Sequence, residues 1–288
     1  MNRTKLYSTT ALITVTFASA GVSQAADLTA MDTAPLMEEA SLPAVSEVNA
    51  KIAAAFGVLD DEFLALGLGS VTFPVGHSFG FQIDGLGAYT GDDDDGAAGI
   101  GAHAFWRDPS TGLIGLYGAY TWVGREDPDN IAQIAAEGEL YLGNITVGAL
   151  AGAGFGDDNL NDAGFFALVD LSAYLTENFR LYGGYRYQID QHMAALGFEF
   201  MPGFASMPGM SVFGEGTVTD EEEYMVFAGL RYYFGPQKSL IRRHREDDPI
   251  ITSMPPNLLL VGDDDHGDDD HEVCDPEEQR CEIDPESP

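Results

Sequence analysis

From Glu47 to Gly235 the chain is written in segments of about ten residues with apolar side chains at every second position. This period of two constrains the fold more than any other feature, because successive side chains of a strand point to opposite faces. In Phe179 to Asp190, the residues Phe179, Leu181, Tyr185, Tyr187 and Ile189 share one face. Arg180, Tyr182, Arg186, Gln188 and Asp190 share the other. The same split sets Phe79, Phe81, Ile83 and Tyr89 against Gln82 and Asp84, and Ile134, Leu140 and Leu142 against Gln133, Glu137 and Glu139. Twelve strands are predicted, near 48–56, 63–73, 78–89, 98–107, 112–123, 131–142, 144–155, 164–175, 179–189, 192–200, 209–218 and 223–234.

A soluble sandwich also alternates, so the solvent must be decided by other features. The segments are long enough to cross a bilayer at a tilt, whereas soluble strands usually have five or six residues. Aromatics sit near strand ends, as in Tyr89, Trp106, Trp122, Phe155 and Phe234, the pattern of interfacial girdles. The connections also alternate in kind. One set is short, such as Gly143-Asn144 and Thr176-Glu177-Asn178, with a longer exception around Pro202 to Pro208. The other set is acidic: Asp60 to Glu62, Asp92 to Asp95, Glu126 to Asp129, Asp157 to Asp162, Asp190, and Asp220 to Glu223 hold 18 acids and one base, Arg125. In an up-and-down barrel every second connection lies at one end, so these acids gather on one rim. The fold expected is all-β, a transmembrane antiparallel up-and-down β-barrel of about twelve strands, followed by a disordered acidic C-terminal tail. A soluble secreted β-barrel is the competing possibility, and extraction from membranes only by detergent would exclude it.

Residues 1–25 carry Arg3 and Lys5, an apolar core from Ala11 to Ala18, and the small-x-small run Val22-Ser23-Gln24-Ala25, the pattern of a secretory signal peptide. Residues 26–46 read as a periplasmic lead, 47–235 as the barrel and 236–288 as a periplasmic tail, basic at first and then acidic. The closing segment Gly229-Leu230-Arg231-Tyr232-Tyr233-Phe234 resembles the terminal strand of Gram-negative outer-membrane barrels. There a glycine is followed by aromatic or apolar residues three and five positions on, here Tyr232 and Phe234. Phe227 stands where a polar residue is usual, and 54 residues follow Phe234. The segments VTFPVGHSFGFQIDG, FWRDPSTGLIGLYG and KSLIRRHREDDP also resemble an alphaproteobacterial group of porin-like barrels of no firmly established activity. The resemblance implies an outer-membrane location with both termini periplasmic. It also implies recognition of Gly229, Tyr232 and Phe234 by the barrel-assembly machinery, and a setting of outer-membrane lipids and lipopolysaccharide. It transfers no catalytic residue.

Lys238, Arg242, Arg243, His244 and Arg245 form a compact basic cluster next to Glu246-Asp247-Asp248. It reads as a solvated collar neutralising nearby carboxylates, or as a contact for anionic lipid or cell-wall polymer. Beyond Pro255 the like-charge blocks rarely fold. Asp263 to His271 offers oxygen and imidazole ligands for weak divalent-cation binding but lacks the layout of an EF-hand loop, and no specific metal site is expected. Cys274 and Cys281, the only cysteines, are expected to form one local disulfide in an oxidising compartment.

The formal net charge of −34 excludes a general nucleic-acid binder, which needs clustered Lys and Arg. The stretch 26–235 holds 31 acids and 6 bases, and 236–288 holds 16 and 5. No nucleophile elbow, zincin motif, phosphate loop or dinucleotide fingerprint occurs, so neither an enzyme nor a cofactor is expected. His77-Ser78 invites comparison with membrane-embedded hydrolases, but no carboxylate pattern accompanies it. The informative residues are those predicted to line the lumen: Lys51, Asp84, His103, Glu137, Glu139, Asp170, Arg180, Arg186, Glu199, Glu215 and Arg231. Charges inside a barrel need water or partners. Inward glycines and alanines, among them Gly115, Gly184 and Gly229, would leave room for a passage. The leading expectation is a passive, narrow, cation-preferring pore in which Arg180, Arg186 and Arg231 face Glu137, Glu139 and Asp170. The alternative is a structural envelope barrel whose acidic loops bridge lipopolysaccharide through divalent cations.

Overall fold

The alternating segments form twelve antiparallel strands: β1 (Asn49–Leu59), β2 (Glu62–Val75), β3 (Phe79–Thr90), β4 (Gly96–Asp108), β5 (Gly112–Gly124), β6 (Asp129–Leu142), β7 (Ile145–Gly156), β8 (Gly164–Thr176), β9 (Phe179–Gln188), β10 (Gln191–Phe200), β11 (Met210–Thr219) and β12 (Tyr224–Tyr233). The computed structural model describes residues 41–91, 96–124, 129–156, 164–188, 191–203, 206–249, 272–275 and 280–283. Each strand pairs with its sequence neighbours, and β1 pairs with β12 from Lys51↔Tyr233 to Leu59↔Met225, so the sheet closes on itself with no free edge. The residues 1–25, the acids at 92–95, 126–127, 157–158, 162 and 190, and the run 250–271 lie outside the described residues.

The outward face identifies the solvent. Ile52, Phe56, Ile114, Leu116, Ile134, Leu171, Leu196 and Leu230 are each more than half exposed, and they ring the barrel. Burying one such side chain is worth about 1.5–3 kcal/mol, so a continuous belt of them is unfavourable in water and suited to lipid tails. Aromatics flank the belt on both sides: Phe79, Trp106, Phe200 and Phe234 toward the short turns, and Phe63, Tyr89, Trp122 and Phe165 toward the long connections. Among the described residues no helix is long and apolar enough to cross a membrane. The strands do the crossing.

After Gly235, whose φ of +87° turns the chain, the tail folds back instead of leaving the barrel. A helix, α1 (Leu240–Glu246), follows at the short-turn end. Its first amides are satisfied by the β8–β9 turn: Leu240 N–H donates to Asn178 Oδ1 and Ile241 N–H to the Glu177 carbonyl. Leu240 packs with Tyr174, Met201 and Tyr233. The long connection before β11 thus contributes Met201 to the seat of the helix. Further on, β13 (Glu272–Asp275) and β14 (Arg280–Ile283) form a separate two-stranded ladder whose backbone register sets Cys274 opposite Cys281.

Candidate functional site: the bore and its plug

All eleven charged residues expected in the lumen lie on the inner face, because their parity within each strand matches that of buried neighbours. Asp170 stands near Arg186 and Arg180, as the sequence suggested, but the ion pairs are made with other acids. Arg186 forms an ion pair with Glu215 at 2.8 Å, and Arg231 pairs with Glu199. The cause is local register. Tyr182 of β9 and Glu215 of β11 both oppose Gly197 of β10, and a Cβ there would lie 2.3 Å from the Tyr182 ring. The missing side chain lets the Tyr182 hydroxyl donate to Glu215 at 2.7 Å across the intervening strand. Partners within reach on nearby strands win over partners across the bore.

On the opposite wall His103 of β4 sits between two carboxylates, with Nε2 3.0 Å from Asp84 and Nδ1 2.6 Å from Glu137. Both nitrogens face acceptors, so the geometry suits an imidazolium with a proton on each. Asp84 also accepts from Gln82 at 2.9 Å, and Glu139 accepts from Tyr141 at 2.8 Å. The inward glycines do not open a passage here. At Gly184 the position of a Cβ is taken by the Asp170 carboxylate, and at Gly115 by Glu137 and Phe105. The room they leave is used by neighbouring side chains.

Along its axis the bore holds three layers. Toward the long connections Leu64, Leu66, Ala97, Val123, Met225 and Phe227 pack into an apolar cluster. The charged layer comes next. The plug closes the short-turn mouth, built from residues 44–47 and 238–248. Ala44 N–H donates to the His77 carbonyl, and Ser46 N–H to the Glu246 carbonyl. Arg107, only 2% exposed, donates to the carbonyls of Ala44 and Asp247. Lys238 bonds Ser46 Oγ at 2.8 Å and Asp247 at 2.6 Å. Thr72 Oγ1 lies between Gln82 Oε1 (2.7 Å) and Asp248 Oδ1 (3.1 Å), joining plug and wall.

The basic cluster is therefore not a solvated collar. Arg243 and His244 are 1% and 3% exposed. Arg243 donates to the carbonyls of Phe234 and Pro236, and Arg245 to the Ile145 carbonyl and Thr146 Oγ1. His244 lies between two hydroxyls, with Nδ1 2.7 Å from Tyr174 and Nε2 2.9 Å from Tyr233. Tyr233 in turn donates to Glu199 at 2.9 Å, which fits a neutral His244 protonated on Nε2. Burial pushes His244 well below the ordinary imidazole value, reinforced by Arg180, Lys51, Arg231 and Arg243. Burial raises the Asp248 carboxyl, opposed by Lys51. Glu246 is held low against its own burial by Arg242 and Lys238.

At the far mouth the acids of two connections are described. Asp60 accepts from Tyr224 N–H at 2.9 Å and Asp220 from His192 N–H at 3.0 Å, so these two cap strand ends. Asp61, Glu221 and Glu222 are exposed. Ser41 Oγ is 3.0 Å from His77 Nε2 at the surface of the plug end, with no carboxylate against the imidazole among the described residues. Nothing in the sequence flagged the plug, whose residues carry no period. A basic run followed at once by acids was the available signal.

No protein-family model matches the sequence, and no curated protein matches it either. Among solved structures, the KdgM porin superposes with a TM-score of 0.49 at 9% identity, covering 64% of this chain and 99% of the porin. An outer membrane channel from Pseudomonas putida F1 gives 0.49 at 10%, covering 70% and 100%. The outer membrane phospholipase of Salmonella typhi, a dimer with bound calcium, gives 0.47 at 11%, covering 70% and 94%. By their names the first two are a porin and a channel, and the third is an enzyme.

Proposed function

We propose that the protein is a porin-like pore of the outer membrane, held shut in this conformation by its own plug, with both termini on the periplasmic side. The observation that carries this reading is a polar, ionised layer inside a lipid-belted barrel, closed at one mouth mainly by hydrogen bonds and ion pairs. Contacts of that kind can be exchanged for water, whereas a dry core cannot. The exposed carboxylates Asp61, Glu221 and Glu222 stand on two neighbouring connections at one side of the opposite mouth and would enrich cations there, giving a cation preference. Gly229 and Tyr232 on the closing strand, with Phe234 just after it, would present the signal read by the assembly machinery. No catalytic role is proposed. Planar-bilayer recording tests the reading: the full chain should show rare, small, cation-selective openings. Silence from the full chain, from a chain ending at Pro236 and from that shortened chain carrying Leu64→Ala and Phe227→Ala, or anion preference at low salt, would sink it.

The apolar layer around Leu64 and Phe227 favours a second reading, a structural barrel with a filled bore. Its rim acids would then bridge lipopolysaccharide phosphates through Mg²⁺ or Ca²⁺. Envelope leakiness on deletion, without any channel activity, would support it.

A further inference from the structure

Two adjacent buried carboxyls, Asp247 and Asp248, follow directly on α1. Asp247 has what a buried carboxylate needs, the Lys238 ammonium at 2.6 Å and the hydroxyl of Ser46. Asp248 does not. Among the described residues its carboxyl makes one hydrogen-bond contact, 3.1 Å from Thr72 Oγ1 on β2. Lys51 of β1, Arg107 of β4 and Tyr233 of β12 face it together with Asp247, but none of their side chains is hydrogen-bonded or ion-paired to it among the described residues.

The hydrogens around Thr72 follow from the bore outward. Asp84 accepts from Gln82 Nε2 at 2.9 Å, beside its contact with His103, which fixes the Gln82 amide with its nitrogen toward Asp84. Gln82 Oε1 therefore faces Thr72, and a carbonyl oxygen can only accept. Thr72 Oγ1 lies 2.7 Å from it and has a single hydrogen, which it donates there. Toward Asp248 the same oxygen is left with lone pairs. An ionised Asp248 would set a buried carboxylate oxygen against them with neither side donating. A protonated carboxyl donates instead, and each contact from Asp84 to the plug then has one donor and one acceptor.

We propose that Asp248 carries its proton while the plug is seated, donating from its carboxyl to Thr72 Oγ1, so that seating the plug takes up one proton from solvent. Burial acts in the same direction, holding the carboxyl above the ordinary carboxylate range against the charge of Lys51. Released, the group titrates at about 3.9. Its contribution to seating is thus complete below that value and is lost as pH rises through the raised one, the opposite of His244. The consequence for opening rests on the pore reading above, and the protonation itself does not.

Infrared spectra of the full chain in detergent micelles at about pH 7 test this, because a protonated carboxyl absorbs apart from an ionised one. A protonated-carboxyl band is expected that Asp248→Asn removes, while the new amide can still donate to Thr72 and keep the plug seated. Asp61→Asn, on the exposed rim, should leave the band in place. Thr72→Val should shift its frequency, since the carboxyl loses its acceptor. Gln82→Met frees the Thr72 hydrogen to turn toward Asp248. It should lower the pH at which the band is lost by about one unit or more, the scale of one hydrogen bond to a charged group. Each variant's fold is checked by its heat-dependent gel mobility. The absence of any band that Asp248→Asn removes, an unshifted band in Thr72→Val, or a Gln82→Met chain titrating at the unsubstituted pH or above would overturn the proposal. No arm reads conduction, so silence in bilayers counts against the pore and not against this proton.

Discussion

The two mouths of this barrel are made by the same twelve strands and differ in almost everything else. The short-turn mouth is filled by residues far apart in sequence: Arg107 meets Ala44 and Asp247, and Thr72 meets Asp248. The long-connection mouth has exposed acids above an apolar layer. Closure at the first is mainly polar, with Leu240 and Val45 as apolar anchors, and closure at the second is by packing. A barrel wall thus leaves its ends free to be closed by different physics.

The largest test of that contrast removes the plug. A chain ending at Pro236 loses α1 and Asp248, and its ion flux in planar bilayers should rise by at least about tenfold over the full chain, as expected when water replaces protein in a charged bore. If flux stays flat, the apolar layer is the true barrier. Leu64→Ala with Phe227→Ala in the shortened chain should then release it. Equal silence in both would show that neither mouth is a gate.

A second test attacks the wall that the mouths share. His103→Ala leaves Asp84 and Glu137 without their common partner in the bore. Breaking a buried ion pair costs about 3–5 kcal/mol, and the loss should appear in urea unfolding from micelles. Lowering the pH should recover part of it, because protonated carboxyls no longer repel.

Acid should loosen the polar mouth. His244 in the plug binds its proton less readily than when released, so its stabilising contribution is present near neutral pH and is lost as pH falls below about 6.5, the ordinary imidazole value. Asp248 acts in the opposite sense, because its raised carboxyl is better tolerated once protonated. In an Asp248→Asn background, channel open time should therefore rise between about pH 7 and pH 5. Adding His244→Gln should flatten that dependence, while a residual slope would assign it to another group.

The smallest effect is expected at the open rim. Neutralising Glu221 and Glu222 to Gln should shift the reversal potential toward zero by a few millivolts, at low salt only, since a Debye length of about 10 Å at 0.1 M screens exposed charges. A cation preference that survives both the neutralisation and 1 M salt would place the selectivity deeper, beside Glu199 and Glu215.

How much of this was legible in the sequence follows the range of the interactions. The strands were, because inward and outward sides alternate residue by residue. The placement of Lys51 or Arg231 on the inner face needs only its parity within one segment. Pairing was not. Arg186 and Glu215 are 29 residues apart and meet because Gly197 withholds a side chain between Tyr182 and Glu215. The plug was hidden altogether. Lys238 to Asp248 read as a solvated basic collar, because nothing local distinguishes a charge that water solvates from one that Tyr174, Tyr233 and Thr72 solvate.

The sequence by itself determined the wall: twelve alternating segments, an apolar exterior and a charged interior, all set by the geometry of an extended backbone. Only the tertiary structure decided whether the interior is a passage. That depends on which charges come within hydrogen-bond reach after closure, and on where the chain goes after Gly235. Both are set by contacts between residues up to about 200 positions apart, such as Ser46 with Asp247, and long-range contacts of this kind leave no period in the chain.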